Sequence, residues 1–356
     1  MNTNHQRPGS ILALDIGGGT QDLFIWEPGQ AVENAVKLVL PAPTQILARR
    51  IAKLSDEGRP IFLRGRLMGG GAINQAVRRH LARGLPVSAT PQAALTLSDR
   101  LEQVASWGVA LTETPPPEAT PLTLGDVDPE GWGRLLAAFE VPFPRHFAVA
   151  VQDHGFYPQG SNRRFRFRYW EEMLSRGAVL GDLASRQPPA FFTRMQAVAE
   201  TLPGVLLMDT CTAGLRGALL DPQARQHLGS GLTVVNLGNA HTFAALVRED
   251  RLWGIYEHHT GLLDQSKLFT QLGRFQSGEL TNDEVFADQG HGCAYAPGYP
   301  PAAPFTFTII TGPRRRLARG WPGVFAAPLG DMMLTGCFGL VAAFLEMERL
   351  PVSLGE

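Results

Sequence analysis

A carboxylate followed by a glycine-rich turn stands near the start of the chain. Asp15 ends an apolar run, and Gly17, Gly18, Gly19 and Thr20 come before the next apolar run begins. Glycine lets an anion approach the main chain, whose N–H groups can hold phosphate oxygens. An acid at a strand end can hold a hydrated Mg²⁺ ion. The stretch therefore predicts a phosphate site with a metal at Asp15, and a tight β-hairpin without a ligand is the alternative.

A similar unit occurs in the second half of the chain. The stretch "VVNLGNAHTFAALV" contains Asn236 at the end of its first apolar run. Its turn carries the residues Gly238, Asn239, His241 and Thr242. A later apolar run, "TFTIITGPRRR", ends at Thr311 and Gly312, where a nucleoside could lie against the backbone. Two glycine turns of this kind could hold a polyphosphate from both sides.

Two aspartates are candidates for a general base. Asp209 ends the apolar run "VLLM" and precedes a helix rich in small residues. Phosphoryl transfer needs a carboxylate near the acceptor hydroxyl. We predict Asp209 for this role, with Asp153 in "QDHG" as the second choice. The alternative for Asp209 is that it caps the following helix.

Histidines stand beside glycine or at expected strand ends, where side chains converge in α/β proteins. They are His154, His241, His258, His259 and His291. With Asp153, Glu257 and Asp288 they could hold a transition metal, but the sequence has neither HxxxH nor HExxH spacing. We therefore favour hydrogen bonds to substrate or within the fold. Neighbouring strand residues face opposite sides, so His258 and His259 cannot both face a cleft.

A second glycine run precedes a predicted helix. Gly69, Gly70 and Gly71 in "MGGGAINQ" would lie at the helix N-terminus, where backbone N–H groups attract an anion. This loop could bind a carboxylate or phosphate of the second substrate. The alternative is a turn that lets helix and sheet pack closely.

An arginine-rich stretch, "NRRFRFRYW", alternates charged and aromatic residues. Arg164, Arg166 and Arg168 occur at every second position. Period two predicts a strand with one cationic face and one apolar face. We favour a solvated face over contact with an anion or nucleic acid, because the whole chain is close to neutral.

Composition restricts the function classes. The 356 residues have a net charge of −1, which gives no general attraction to nucleic acid or membranes. Cys211, Cys293 and Cys337 are far apart, so neither a zinc ribbon nor a local iron–sulfur motif is supported. The polar N-terminal stretch is not a signal peptide, and the apolar run 332–347 is short for a membrane span. We expect a cytoplasmic protein that binds neither nucleic acid nor membrane.

The order of elements predicts an α/β fold. The strand–glycine turn–strand unit at 11–26 recurs at 232–247, and an apolar helix at 332–347 follows the last strand. This order resembles that of the superfamily of actin, sugar kinases and heat-shock chaperone ATPases. The resemblance implies a two-lobed, actin-like (ribonuclease H-like) fold with central mixed sheets flanked by helices. We place the lobes at residues 1–204 and 205–356.

The resemblance also implies ATP and Mg²⁺ as cofactors. Asp15–Asp22 would be the phosphate-1 hairpin, Asn236–Thr242 the phosphate-2 hairpin and Thr311–Gly312 the adenosine turn. The phosphate-2 hairpin of the superfamily usually begins with Asp. Asn236 in its place weakens a metal-water role there and favours a protein that binds the nucleotide without turnover.

A narrower resemblance extends along much of the chain. Its motifs are "LALDIGGGTQDLFI", "LMGGGAINQAVRRHLARGL", "QDHG", "NLGNAHT", "YEHHTG", "DQGHG", "TGPRR" and "GDMMLTGCFGL". They are similar to a prokaryotic family labelled "putative pyruvate formate-lyase activating enzyme". Enzymes with that activity hold an iron–sulfur cluster through three closely spaced cysteines, a spacing that this sequence lacks. Radical-enzyme activation is therefore disfavoured.

These observations predict an ATP-binding protein that acts as an ATPase or as a phosphotransferase on a small polar molecule. A non-catalytic sensor of a nucleotide or metabolite, which reports to a protein partner, is the first alternative. A metal-dependent hydrolase that uses the histidines is the second.

Overall fold

The computed structural model describes residues 9–299 and 305–354. The strands are β1 (Ile11–Ile16), β2 (Thr20–Trp26), β3 (Lys37–Pro41), β4 (Ile61–Gly65), β5 (Val87–Ala89), β6 (Val109–Leu111), β7 (Thr120–Leu124), β8 (His146–Val151), β9 (Ala184–Ser185), β10 (Leu206–Met208), β11 (Leu232–Leu237), β12 (His241–Arg248), β13 (Arg251–His259), β14 (Gly292–Tyr295), β15 (Thr308–Thr311) and β16 (Val324–Phe325).

The helices are α1 (Pro43–Asp56), α2 (Gly71–Ala82), α3 (Pro91–Ala94), α4 (Leu101–Ser106), α5 (Pro129–Ala137), α6 (Asn162–Ser175), α7 (Thr193–Thr201), α8 (Thr210–Ala218), α9 (Pro222–His227), α10 (Gln265–Gln276), α11 (Asn282–Ala287) and α12 (Thr335–Met347). Among the residues described, no helix combines the length and apolar character that crossing a membrane requires.

Two six-stranded sheets share one strand plan. The first has the order β3-β2-β1-β8-β10-β9 and the second β14-β13-β12-β11-β15-β16. In each, an antiparallel meander is joined through its first strand to parallel strands, β8 beside β1 and β15 beside β11. This repeated plan confirms the predicted two-lobed, actin-like fold with ribonuclease H-like mixed sheets.

A third sheet is inserted between β3 and β8. It has four parallel strands in the order β6-β5-β4-β7. Its apolar residues pack with those of α1 and α2 into a separate core, which includes Ile51, Leu63 and Val77. The Gly69–Gly71 segment connects β4 to α2 within this insertion. It lies near Gly17 and Gly18 of the first sheet, with which it lines a cavity described below.

Two helices cross where the two large sheets meet. A Cβ atom on Gly217 in α8 would lie 1.7 Å from the Thr335 carbonyl oxygen, and one on Gly339 in α12 would lie 2.0 Å from that of Ala213. Only glycine allows such a close approach of the two backbones. The α12 helix also packs on the first sheet, where Phe338 and Phe24 stack edge to face with ring centroids 5.2 Å apart.

Our division at residues 204 and 205 differs from the way the elements assemble. Strand β10 lies after that point but pairs with β8 of the first sheet. Helix α12, near the other end of the chain, also contacts β1 and β2. A sequence pattern marks a strand but does not show which sheet it joins.

The arginine-rich stretch 162–170 is helical, so the predicted strand is wrong. Ser161 caps α6 by accepting a hydrogen bond from the Arg164 N–H. Within this helix Arg166 lies inside the protein, with 2% of its surface exposed. Period two was misleading because tertiary partners, described below, hold this arginine inside.

Candidate functional site

The turns of the two equivalent hairpins face each other. In both, the first glycine closes the turn in the same way: the Gly17 N–H donates to the Thr20 carbonyl and the Gly238 N–H to the His241 carbonyl, each at 2.9 Å. A Cβ atom on Gly19 would lie 2.8 Å from Asn239 Nδ2. Side chains at these turns would close the space between them.

A cavity of about 110 Å³ lies between the two turns. Predicted residues that line it are Asp15, Gly17, Gly18, Thr20, Gly238, Asn239, His241 and Gly312. Gly312 has φ of 96°, and a Cβ there would lie 2.4 Å from the Leu237 carbonyl oxygen, so this turn is fastened to the end of β11. The structure thus brings the predicted phosphate and adenosine turns to one cavity.

Two predicted contact residues lie elsewhere. Thr242 and Thr311 are fully buried in the second sheet. The Thr242 hydroxyl pairs with that of Thr260 at 3.0 Å. Both threonines are therefore unable to contact a ligand in the cavity, contrary to the prediction. Side chains alternate along a strand, so these two point into the core while the adjacent residues face the cavity.

An acidic pair lies behind the first turn. Asp15 and Asp22 stand opposite each other in the β1–β2 register. In the described part of the chain, the buried Oδ1 atom of each has no hydrogen-bond partner. Burial, followed by the charges of Asp22 and Asp209, raises the pKa of Asp15 well above its ordinary value. Burial raises the pKa of Asp22 to about 7.

This pair fits the Mg²⁺ ion that the fold implies. Two adjacent carboxylates with unpartnered oxygens are hard donors of the type that Mg²⁺ prefers, and a divalent cation would offset their repulsion. From the sequence we predicted Asp15 as a metal ligand and did not identify Asp22 as a second candidate. The available signal was that Asp22 lies across the hairpin from Asp15.

A different acidic pair is bridged by an arginine. Arg166 donates from Nη1 to Asp209 Oδ2 at 2.7 Å and from Nε to Glu257 Oε2 at 2.7 Å. Burial alone would raise the pKa of Glu257, but the positive charge of Arg166 holds it well below its usual range. Arg166 was not among the predicted site residues, because the local alternation had indicated a solvated strand.

Asp209 also caps α8, the alternative considered above. Its Oδ1 accepts a hydrogen bond from the Cys211 N–H at 3.1 Å. Asp153 is similarly engaged: it accepts from the Gly155 N–H at 2.8 Å and from the Arg194 and Met195 N–H groups at 2.8 and 3.0 Å. Burial raises the pKa of Asp153 despite these donors. Neither carboxylate is free to accept a proton without losing these bonds.

A second cavity, of about 430 Å³, adjoins the first. The residues that line both are Gly17, Gly18, Gln152, Ala240 and His241. The second cavity is also lined by the predicted Gly69, Gly70, Gly71, Asp153 and His154, and by Arg194. The Arg194 guanidinium pairs with Asp126 at 2.7 Å. This cavity is large enough for a small polar metabolite.

The predicted histidines separate into two groups. His154, His241 and His291, together with Glu257, place donor atoms within 4.8 Å of one another. The His259 ring lies beside this group, 4.6 Å from that of His291 between centroids. His258 faces the other side of β13 and bonds Asp288 at 3.1 Å. The expectation that His258 and His259 cannot both face the cleft is confirmed.

Two imidazoles of this group, those of His154 and His241, have lowered pKa values. Burial, followed by the charges of His291 and Arg166, holds the pKa of His154 well below its ordinary value. Burial lowers the pKa of His241 to about 3. Their ring nitrogens therefore keep a lone pair near neutral pH.

Comparison with known proteins assigns the chain to a family. A family model described as "Putative pyruvate format-lyase activating enzyme (DUF1786)" matches residues 68–317, and the chain belongs to this family. The narrower resemblance seen in the sequence is therefore confirmed. No curated protein sequence matches the chain.

Two solved structures are similar at low identity. A "putative sugar kinase" from Cytophaga hutchinsonii is 9% identical, with 96% of this chain and 90% of that chain covered and a TM-score of 0.27. A nucleotide-free acetone carboxylase, described as ATP-dependent, is 11% identical, with 94% and 70% covered and a TM-score of 0.30. The fold assignment rests on the repeated strand order of the two large sheets.

Proposed function

We propose that this member of the family binds ATP with Mg²⁺ between its two glycine hairpins and transfers the terminal phosphoryl group to a small polar acceptor or to water. One observation carries the proposal. Two hairpins with the same turn hydrogen bond face each other across a cavity, and behind one of them lies an acidic pair whose Oδ1 atoms have no hydrogen-bond partner among the described residues.

Each part of the nucleotide has a counterpart in this cavity. The backbone of Gly17–Thr20 and of Gly238–His241 would hold the phosphates. Gly312 would lie against the nucleoside. Asp15 and Asp22 would hold Mg²⁺, which neutralises phosphate charge when bound.

The second cavity would hold the acceptor. It shares five lining residues with the first, so an acceptor there would lie next to the terminal phosphate. The Gly69–Gly71 loop and Arg194 offer N–H donors, which suit an acceptor with a carboxylate or phosphate. Asp209 and Asp153 stay the predicted bases, although each would have to release existing hydrogen bonds.

The activity in the family's description finds no support in the cysteines. Cys211, Cys293 and Cys337 are all buried and free, and they belong to α8, β14 and α12. The cluster of potential metal ligands found among the described residues contains no cysteine.

A nucleotide sensor without turnover is the second candidate function. Asn236 and Phe243 occupy the register positions in β11 and β12 that Asp15 and Asp22 occupy in β1 and β2. The second hairpin therefore lacks both acids. Release of ADP in the presence of candidate acceptors separates the two functions, because a sensor would release none.

Calorimetric titration tests nucleotide binding. The wild type should bind Mg²⁺–ATP with one site, and Asp15→Asn should lower the affinity at least about tenfold, or ~1.4 kcal/mol. Asp264→Asn, which changes an exposed helix cap outside the cavity linings, is the matched control and should bind as the wild type. Absence of binding by the wild type at any Mg²⁺ concentration would overturn the proposal.

A further inference from the structure

Four metal-donor side chains meet where the two cavities adjoin. His154 follows β8 of the first sheet, whereas His241, Glu257 and His291 come from the meander of the second. One ligand atom from each lies within 4.8 Å of the other three. His154 Nε2 and His291 Nε2 are 3.1 Å apart, a separation that two nitrogens on one metal ion also show. We infer that His154, His241, His291 and Glu257 bind one divalent transition-metal ion.

An unpartnered nitrogen independently indicates a ligand at this place. His291 is 1% exposed, and its Nδ1 has no hydrogen-bond partner in the described part of the chain. That atom lies 3.2 Å from Glu257 Oε1, so an imidazole nitrogen and a carboxylate oxygen converge at this point. A buried polar atom that stays unpaired costs free energy. Coordination of a metal ion by His291 would fix the orientation of its ring and give the unpaired nitrogen a role.

The local charge suits a divalent cation. Two carboxylates, Asp209 and Glu257, face the single guanidinium of Arg166. One guanidinium therefore serves two carboxylates beside the four donor atoms. Gln152 donates to Glu257 Oε1 at 2.5 Å and Arg166 to Oε2, so the carboxylate is held in a fixed orientation.

The donor set selects the class of metal. Three imidazoles and a carboxylate suit Zn²⁺, Co²⁺ and related transition ions, whereas Mg²⁺ prefers oxygen ligands. His154 and His241 line the second cavity, so the ion would face the molecule held there. The site draws on both large sheets and does not depend on nucleotide binding, so it goes beyond the proposed function.

Metal titration without nucleotide tests the site. Protein without a polyhistidine tag is stripped with a chelator, exchanged into chelator-free buffer, and titrated with Zn²⁺ by calorimetry and with Co²⁺ by visible absorption. We expect one equivalent of each metal and Co²⁺ bands typical of nitrogen ligands. His154→Ala and His241→Ala should each weaken binding at least about tenfold.

His259→Ala is the matched control, because its ring neighbours the cluster but its donor atoms are outside the four-atom group. It should keep the full stoichiometry. Circular dichroism and thermal melting check that each variant is folded. Failure of the folded wild type to bind one equivalent, or equal binding by wild type and His241→Ala, would overturn the inference. Calorimetry with Mg²⁺–ATP on the same stripped protein measures the nucleotide site separately.

Discussion

The protein buries two pairs of carboxylates, and their surroundings differ in one respect. Asp209 and Glu257 are joined by Arg166, which pairs with both at 2.7 Å. Asp15 and Asp22 face each other across a hairpin, and each keeps an oxygen without a hydrogen-bond partner in the residues described. The first pair is thus partly neutralised by an internal guanidinium, whereas the second pair has no hydrogen-bonded cation among the residues described and can accept an external one.

The two glycine hairpins extend this contrast. Their strand register and turn hydrogen bonds are the same, but the acids at positions 15 and 22 are replaced by Asn236 and Phe243. The second lobe instead contributes His241, Glu257 and His291 to a nitrogen-rich cluster. One backbone plan thus places a carboxylate pair behind the first glycine turn and His241 at the second.

Removal of the bridging arginine should have the largest effect. Arg166→Met leaves two buried carboxylates without their counter-charge and should lower the free energy of unfolding by about 3–5 kcal/mol. Urea unfolding followed by circular dichroism measures it. Arg164→Met, on the same helix but paired at the surface with Asp283, should cost less than about 1 kcal/mol. An equal loss of unfolding free energy for both variants would show that the buried bridge stabilises the fold no more than the surface ion pair does.

Neutralising one acid of each pair should change stability in opposite directions. In the absence of divalent cations, Asp209→Asn should destabilise the fold by about 2 kcal/mol, because Arg166 loses charged hydrogen bonds. Asp15→Asn should stabilise it by about 1 kcal/mol, because the substitution removes the repulsion between two adjacent buried carboxyl groups. Urea unfolding in a chelating buffer compares them. Destabilisation by both substitutions would contradict the distinction between the pairs.

Restoring an acid to the second hairpin should have the smallest effect. Asn236→Asp adds a carboxylate at the position equivalent to Asp15, and Asn236 is only partly buried. We expect Mg²⁺–ATP to bind roughly threefold more tightly, or ~0.6 kcal/mol. Asn236→Ala controls for loss of the amide, and ATP without Mg²⁺ should bind Asn236→Asp less well than wild type. A weaker Mg²⁺–ATP complex would rule out a role for this position near the metal.

The sequence predicted the features that depend on local pattern. Glycine between two apolar runs predicted both hairpins, and the run at 332–347 predicted α12. The local pattern gave wrong predictions where contacts with residues distant in sequence determine whether a side chain is buried. Arg166 lies inside because Asp209 and Glu257 approach it from 43 and 91 residues away, and no local period contains that information. The grouping of His154 with His291, 137 residues apart, was likewise not predictable from spacing.

The position of α12 has a consequence for synthesis of the chain. Its Cys337 Sγ contacts the Asp22 carbonyl oxygen across 315 residues of sequence, and Phe338 covers Phe24. A ribosome releases β1 and β2 long before it has made the helix that covers them. The first sheet therefore leaves the ribosome with an apolar face exposed, which chaperones can bind until translation reaches α12. A chain truncated before α12 should accumulate in aggregates, although every strand of both large sheets is present.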